Sequence, residues 1–239
     1  MTHRTAFKAA CLRYATANQI PVPTGFTLKD AYGAPARELT VRIQKRAKLY
    51  KAPTGDMTPK TVLTVGKYLP GSTIGERAVW AMRIVEGPLE VHGNNKGPYV
   101  QEIQKLGSEL APAAWPWCAA SVSWALRSAG WSSWAAFVKH ESEAWVPAWS
   151  DAAQAGRYGM SVKSWRTATT GDIVCFKWDQ PRYQHIGFVN ARPNQVTGIA
   201  STIEGNTSSE TEAGSQDDGA GLWRRTRTVT PPQLVIRVR

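Results

Sequence analysis

The chain has 239 residues, long enough to bury a substantial core in one large domain or two unequal ones. Hydrophobic residues at 42% and charged residues at 20% exclude wholesale disorder, collagen-like repeats and coiled-coil fibres. The net charge of +11 admits two readings: attraction to a polyanion (nucleic acid, a membrane surface or an anionic cell wall), or a basic surface without a specific partner. No zinc-finger spacing, RNA-binding aromatic signature or long basic run favours nucleic acid. The three cysteines are too few for a disulfide framework, and their odd number leaves a thiol free in a monomer. No apolar run approaches the ~18 residues that span a bilayer. The N-terminus, basic at Arg4 and Lys8, lacks the apolar stretch of a secretory signal, so a soluble cytoplasmic product is expected.

All eleven tryptophans lie from Trp80 onward. In the Trp-free part, Leu39, Ile43, Ala47 and Tyr50 have helical spacing and predict a helix over residues 36–51. Gly55 and Asp56 turn the chain, and Thr58-Pro59 starts a second helix that carries Val62, Leu63 and Leu69 before Pro70-Gly71. Cys11 falls in a terminus with no readable element. Residues 71–75 are the expected boundary between a small helical module, 1–71, and a larger unit, 72–239.

The larger unit opens with helices over residues 76–86, which stops at Gly87-Pro88, and 98–106, which ends at Gly107. A third helix begins at Trp117-Cys118 and runs through Val122, Ala125 and Leu126 to Gly130. After a Trp-rich connection with helical pieces come short strands over residues 172–178, 185–191, 198–204 and 234–238. Helices first and antiparallel strands afterwards indicate an α+β domain.

Cys118 sits in the first turn of its helix, where free N–H groups and the macrodipole favour a thiolate. It also shares a face with Val122, Ala125 and Leu126, and a lone cysteine on an apolar face is more often core. A base opposite it decides between the two. His185 begins a strand, and if the hairpin that follows is symmetric about Asn194 and Gln195, His185 pairs directly with Glu204. A carboxylate there orients an imidazole and supports its protonated form; Asn206 lies two residues further along. A surface ion pair remains the alternative. The other candidates compare poorly. Cys175 reads as core, His92 and His140 have no partner at a readable spacing, Glu141 and Glu143 read as solvated, and the Cys and His spacings match no zinc site.

Five segments then follow one order: Gly97-Pro98-Tyr99-Val100, Trp117-Cys118-Ala119-Ala120-Ser121-Val122-Ser123-Trp124, Gly171-Asp172-Ile173-Val174, His185-Ile186-Gly187-Phe188-Val189 and Glu204-Gly205-Asn206-Thr207. They resemble the CHAP domain, the cysteine, histidine-dependent amidohydrolase/peptidase of phage and bacterial wall-lytic enzymes. Residues 218–227, from Asp218 to Arg227, resemble its closing strand. The resemblance implies a papain-like domain of helices packed on an antiparallel sheet, with Cys118 as nucleophile, His185 as base, Glu204 orienting His185 and Asn206 assisting. Residues 41–49 and Thr54-Gly55-Asp56-Met57-Thr58-Pro59-Lys60-Thr61 resemble the small helical peptidoglycan-binding domain.

The implied protein is a phage endolysin that cleaves an amide bond of peptidoglycan, as an N-acetylmuramoyl-L-alanine amidase or an endopeptidase. It is expected to be a monomer without a nucleic-acid partner, waiting in the host cytoplasm before it reaches the wall. Some family members hold calcium in an acidic loop before the cysteine. Residues 91–97 offer Asn94 and Asn95 without an acidic cluster, so no cofactor or metal is expected. Two alternatives stand: a non-enzymatic basic protein that binds walls or nucleic acid, and a cysteine peptidase acting on non-wall substrates.

Overall fold

The amino-terminal segment is a helix rather than an unstructured terminus, which corrects the sequence expectation. In the computed structural model, which describes residues 1–29, 31–91, 93–209 and 219–239, helix α1 runs His3–Ala17 and is capped by the Thr2 side chain, which accepts from the Thr5 amide. Phe7, Ala10, Cys11 and Ala15 form its buried stripe. Half of that stripe is alanine, whose small hydropathy hides the period in the sequence. Cys11 is core, and burial raises its thiol pKa to about 12. Both His92 and Asp218 lie outside the described residues.

Helix α2, Ala34–Arg46, ends earlier than Tyr50, because Lys48 turns into the left-handed region at φ 52°. Helix α3, Pro59–Val65, starts as expected: the Thr58 hydroxyl accepts from the Thr61 amide, with Pro59 in the first turn. Helix α4, Ile74–Ile84, opens with a reciprocal capping box between Thr73 and Glu76. Helices α5 (Pro98–Gly107), α6 (Cys118–Ser128), α7 (Trp134–His140) and α8 (Val146–Gln154) follow.

Among the described residues, seven strands form one antiparallel sheet: β1 (Gly87–Pro88), β2 (Met160–Lys163), β3 (Ile173–Phe176), β4 (His185–Val189), β5 (Ile199–Thr207), β6 (Gly221–Thr228) and β7 (Leu234–Val238). Their order is β1-β6-β5-β4-β3-β7-β2. The fold is therefore α+β, with helices packed on an antiparallel sheet. Ile173, Cys175, Ile186, Phe188 and Ile203 face the helical layer, while Val174, Phe176, Val189 and Ala200 build a smaller core on the other side.

Helices α1 to α3 and the later elements share a core. Phe7, Leu39, Ile43 and Val62 belong to the same buried cluster as Val79, Met82 and Trp124. The turn at residues 71–73, just before α4, thus links two sets of helices packed on each other.

Helix α6 lies at the centre of the molecule. Every residue of it except Arg127 is buried, so it is enclosed on all sides rather than amphipathic. Small residues allow that enclosure. A Cβ added at Gly107 would meet the Ala120 carbonyl oxygen at 2.1 Å, and one at Gly205 of β5 would meet the Ser121 hydroxyl at 2.5 Å and the Trp117 ring at 2.8 Å. The helix that begins with Cys118 therefore rests directly on β5. Gly205→Ala should push α6 away from the sheet and destabilise the protein by about 1–3 kcal/mol, as overpacked cores do. Thermal unfolding checks this, and an unchanged melting temperature would show that the contact gives way without cost.

Candidate active site

The site lies where the start of α6 meets the end of the sheet. Trp117 flanks the helix, and its indole N–H donates to Glu90 Oε1 at 3.0 Å, which pins the backbone just before Cys118. Helix α6 packs across β4 and β5. His185 is the first residue of β4 and pairs with Phe176 of β3. Strand alternation turns Ile186 and Phe188 toward α6 and leaves His185, Gly187 and Glu204 on the other face. The position of His185 at the sheet's end is what brings its ring to the thiol.

The expected direct pairing of His185 with Glu204 is corrected by the register, in which Glu204 lies opposite Gly187. The turn closes later than a symmetric hairpin would. The Asn194 amide donates to the Ile199 carbonyl, and the Asn194 side chain accepts from the amides of Val196 and Thr197. Both Asn190 and Ala191 donate to the Ser201 carbonyl, which adds a bulge. A shift of two residues keeps Glu204 on the same face, so it reaches His185 diagonally. Gly187 makes the diagonal possible: a Cβ there would meet Glu204 Cγ at 2.5 Å.

His185 Nε2 and Glu204 Oε2 are 2.9 Å apart, and both side chains are fully buried. Nδ1 is buried and makes no hydrogen bond of good geometry, while the Cys118 thiol is close enough to the ring to raise its pKa. Burial disfavours the imidazolium, but contact with Cys118 and Glu204 outweighs it and lifts the pKa to about 9. Burial likewise disfavours the carboxylate, but His185 and Arg227 hold Glu204 ionised and lower its pKa to about 2.

Sequence reasoning missed Arg227. Its Nε donates to Glu204 Oε1 at 3.0 Å and its Nη2 to Oε2 at 2.6 Å, and the Thr202 hydroxyl donates to Oε1 at 2.5 Å. In the sequence Arg227 looks like part of a solvated basic cluster. Its role depends on β6 lying beside β5, for which the residues carry no local signal. Trp178 was also missed. Its ring stacks on His185 at 5.9 Å between centroids, and the Arg227 guanidinium lies 5.5 Å from the rings of both Phe176 and Trp178.

Asn206 is buried at a bulge in β5 with φ 58°, the left-handed conformation that asparagine tolerates. Cys175 is core as expected, with burial raising its pKa. His140 ends α7 and is exposed. Glu143 corrects its expectation as a solvated residue: it is 3% exposed and accepts from the Ser108 hydroxyl and the Glu109 amide. Glu141 is instead paired with Arg157.

Beside Cys118 opens a cleft of about 450 Å³ walled by Trp115, Pro116, Trp145, Val146, Pro147 and Tyr183. A thiol at a helix start, a buried imidazole against it and an ionised carboxylate behind the ring suit acyl transfer.

Residues 111–206 match the family model of the CHAP domain. This stretch is less than half of the chain; it contains Cys118, His185, Glu204 and Asn206 and ends before Arg227. No curated protein and no solved structure matches the chain. At family level the CHAP match implies a cysteine- and histidine-dependent amidohydrolase or peptidase. Glu90, next to the loop of residues 91–97, already accepts from Trp117 through one oxygen and from the Asn95 amide through the other. Among the described residues no group of three or more His, Cys, Asp or Glu side chains is placed to hold a metal.

The two shifts set a pH window. The raised His185 pKa stabilises the fold fully below 6.5, and that contribution is lost as pH climbs through about 9. The lowered Glu204 pKa stabilises it above 4.5, and that contribution is lost as pH falls toward about 2. Replacing Glu204 by Gln removes the buried charge that favours the imidazolium, so the His185 pKa should fall by about one unit or more. Titration of the histidine ring resonances checks this, and an unmoved pKa would mean that the carboxylate does not act on the ring.

Proposed function

We propose that this chain is a peptidoglycan hydrolase that cleaves an amide bond of the wall peptide through Cys118, His185 and Glu204. The observation that carries the reading is the buried His185 ring, bonded to Glu204 on one nitrogen and approached by the Cys118 thiol. It sits beside an apolar cleft, within the stretch that matches the CHAP domain.

His185 takes the thiol proton, and the Cys118 sulfur attacks the amide carbon. The tetrahedral oxyanion is held by the Cys118 backbone N–H at the start of α6, together with a second donor. His185 returns the proton to the leaving amine as the C–N bond breaks. Water, deprotonated by the same ring, then releases the acyl group and restores the thiol. Glu204 supports the imidazolium through both steps, and Asn206 assists behind the ring. The reaction needs neither calcium nor another metal.

The bond cleaved is the muramoyl–alanine amide or one within the stem peptide or cross-bridge. In the endolysin role the protein works as a monomer, is held in the host cytoplasm and acts on the wall after release. Residues 1–71 anchor it there, and residues 72–239 carry the chemistry. The basic side chains Lys45, Arg46, Lys48 and Lys51, all exposed at the end of α2 and just beyond, suit an anionic wall.

Cys118→Ser should reduce wall lysis by at least about 10³-fold while leaving the melting temperature and wall binding unchanged. Cys175→Ser should keep most of its activity. Turbidity of a wall suspension reads both, and mass spectrometry of the digest identifies the new amine. A fully active Cys118→Ser protein would remove the nucleophile assignment.

Lysis should also persist in a calcium chelator, given how Glu90 is committed. Strong inactivation that added calcium reverses would overturn the metal-free reading.

A further inference from the structure

The cleft beside Cys118 has apolar walls and one charged one. Of the described residues that line it, Arg182 alone carries a formal charge, and no carboxylate does. Arg182 is exposed and precedes His185 by three residues, so it stands at the mouth of the cleft on the same segment that delivers the base. Of the carboxylates near the two walls in sequence, Glu109 is exposed beside Leu110, and three others are committed elsewhere. Asp179 accepts from the Gln184 side-chain amide at 3.2 Å. Glu143 is buried against Ser108 and the Glu109 amide, and Glu141 bonds Arg157 and Tyr158. No ion pair to Arg182 occurs among the described residues.

A guanidinium presents a planar fork that matches a carboxylate with two parallel hydrogen bonds. Placed at the rim of an apolar cleft, it is less screened than on open surface, yet it stays accessible to an incoming strand. A substrate that fills this cleft productively then has two parts. A small aliphatic stretch lies along the tryptophan, proline and valine walls. A free carboxylate lies near the scissile amide, since extended peptide advances only about 3.3–3.6 Å per residue.

We propose that Arg182 is a specificity residue that selects wall peptides bearing a free carboxylate close to the cleaved bond and discriminates against their amidated forms. This deepens the hydrolase reading and rests on it for the identity of the substrate.

Two probes separate the possibilities: muramyl-L-Ala-γ-D-Glu-L-Lys and the same compound with the D-Glu α-carboxyl amidated. Their binding is measured by calorimetry to the full chain carrying Cys118→Ala, so that neither is consumed. The free acid should bind about tenfold tighter, the scale of one partly screened charge-assisted pair. Adding Arg182→Gln should shrink that preference to within about twofold, while Arg182→Lys should retain part of it. Equal affinities for Cys118→Ala, a preference that survives Arg182→Gln, or no binding of either probe would each overturn the proposal. Turnover of both probes by the unsubstituted protein distinguishes the two ways of failing. Discrimination in binding without cleavage of either probe or of intact walls removes the hydrolase reading alone, and cleavage of both probes at equal kcat/KM removes the role of Arg182 alone.

Discussion

A carboxylate with no exposure to water organises this end of the molecule. Glu204 is fully buried, and an ionised carboxylate without partners in such a place would be too costly to keep. It persists because β6 and β4 flank β5 and bring Arg227 and His185 to it from opposite sides, with Thr202 adding a third donor from its own strand. The strand order thus precedes the chemistry: moving either neighbour would leave a buried charge without compensation. Gly187 belongs to the same constraint, since a side chain there would occupy the path along which Glu204 reaches the ring.

The second constraint is the enclosure of α6. A helix buried on all sides gains little from an amphipathic pattern and depends on close approach, which Ala119, Ala120, Ser121 and the glycines opposite them permit. Rigid placement of the helix places Cys118, and that is the kind of support a reacting group needs. The three cysteines illustrate how much surroundings matter. All are buried, and by exposure alone they are alike. Cys11 and Cys175 have their thiol pKa raised by burial, whereas Cys118 stands at a helix start, against an imidazole and beside a cleft.

Charge has two scales here. The overall excess of +11 is spread over the surface and gives long-range attraction without choosing a partner. Arg182, in the role proposed for it, acts at short range, where a single guanidinium in an apolar rim would distinguish one substrate group from another. In the proposed hydrolase the first would draw the protein to an anionic matrix, and the second would bear on which strands of that matrix fit.

Much of this was legible in the residues. Caps and prolines announced α3, α4 and α5, β-branched runs announced β3, β4, β5 and β7, and Cys118, His185, Glu204 and Asn206 stood out as residues with possible roles. Local signals of this kind survive in the sequence because capping and strand alternation depend on neighbours a few positions away. Helix α1 escaped notice because alanine marks a buried stripe weakly. The offset of Glu204 from His185 escaped because one bulge and the Asn194 turn displace a register by amounts that spacing does not reveal. Arg227, Trp178 and Arg182 became meaningful through which strand lies beside which and which loop closes a cleft. Such placements are set by long-range pairing between distant parts of the chain, and that information resides in the tertiary structure alone.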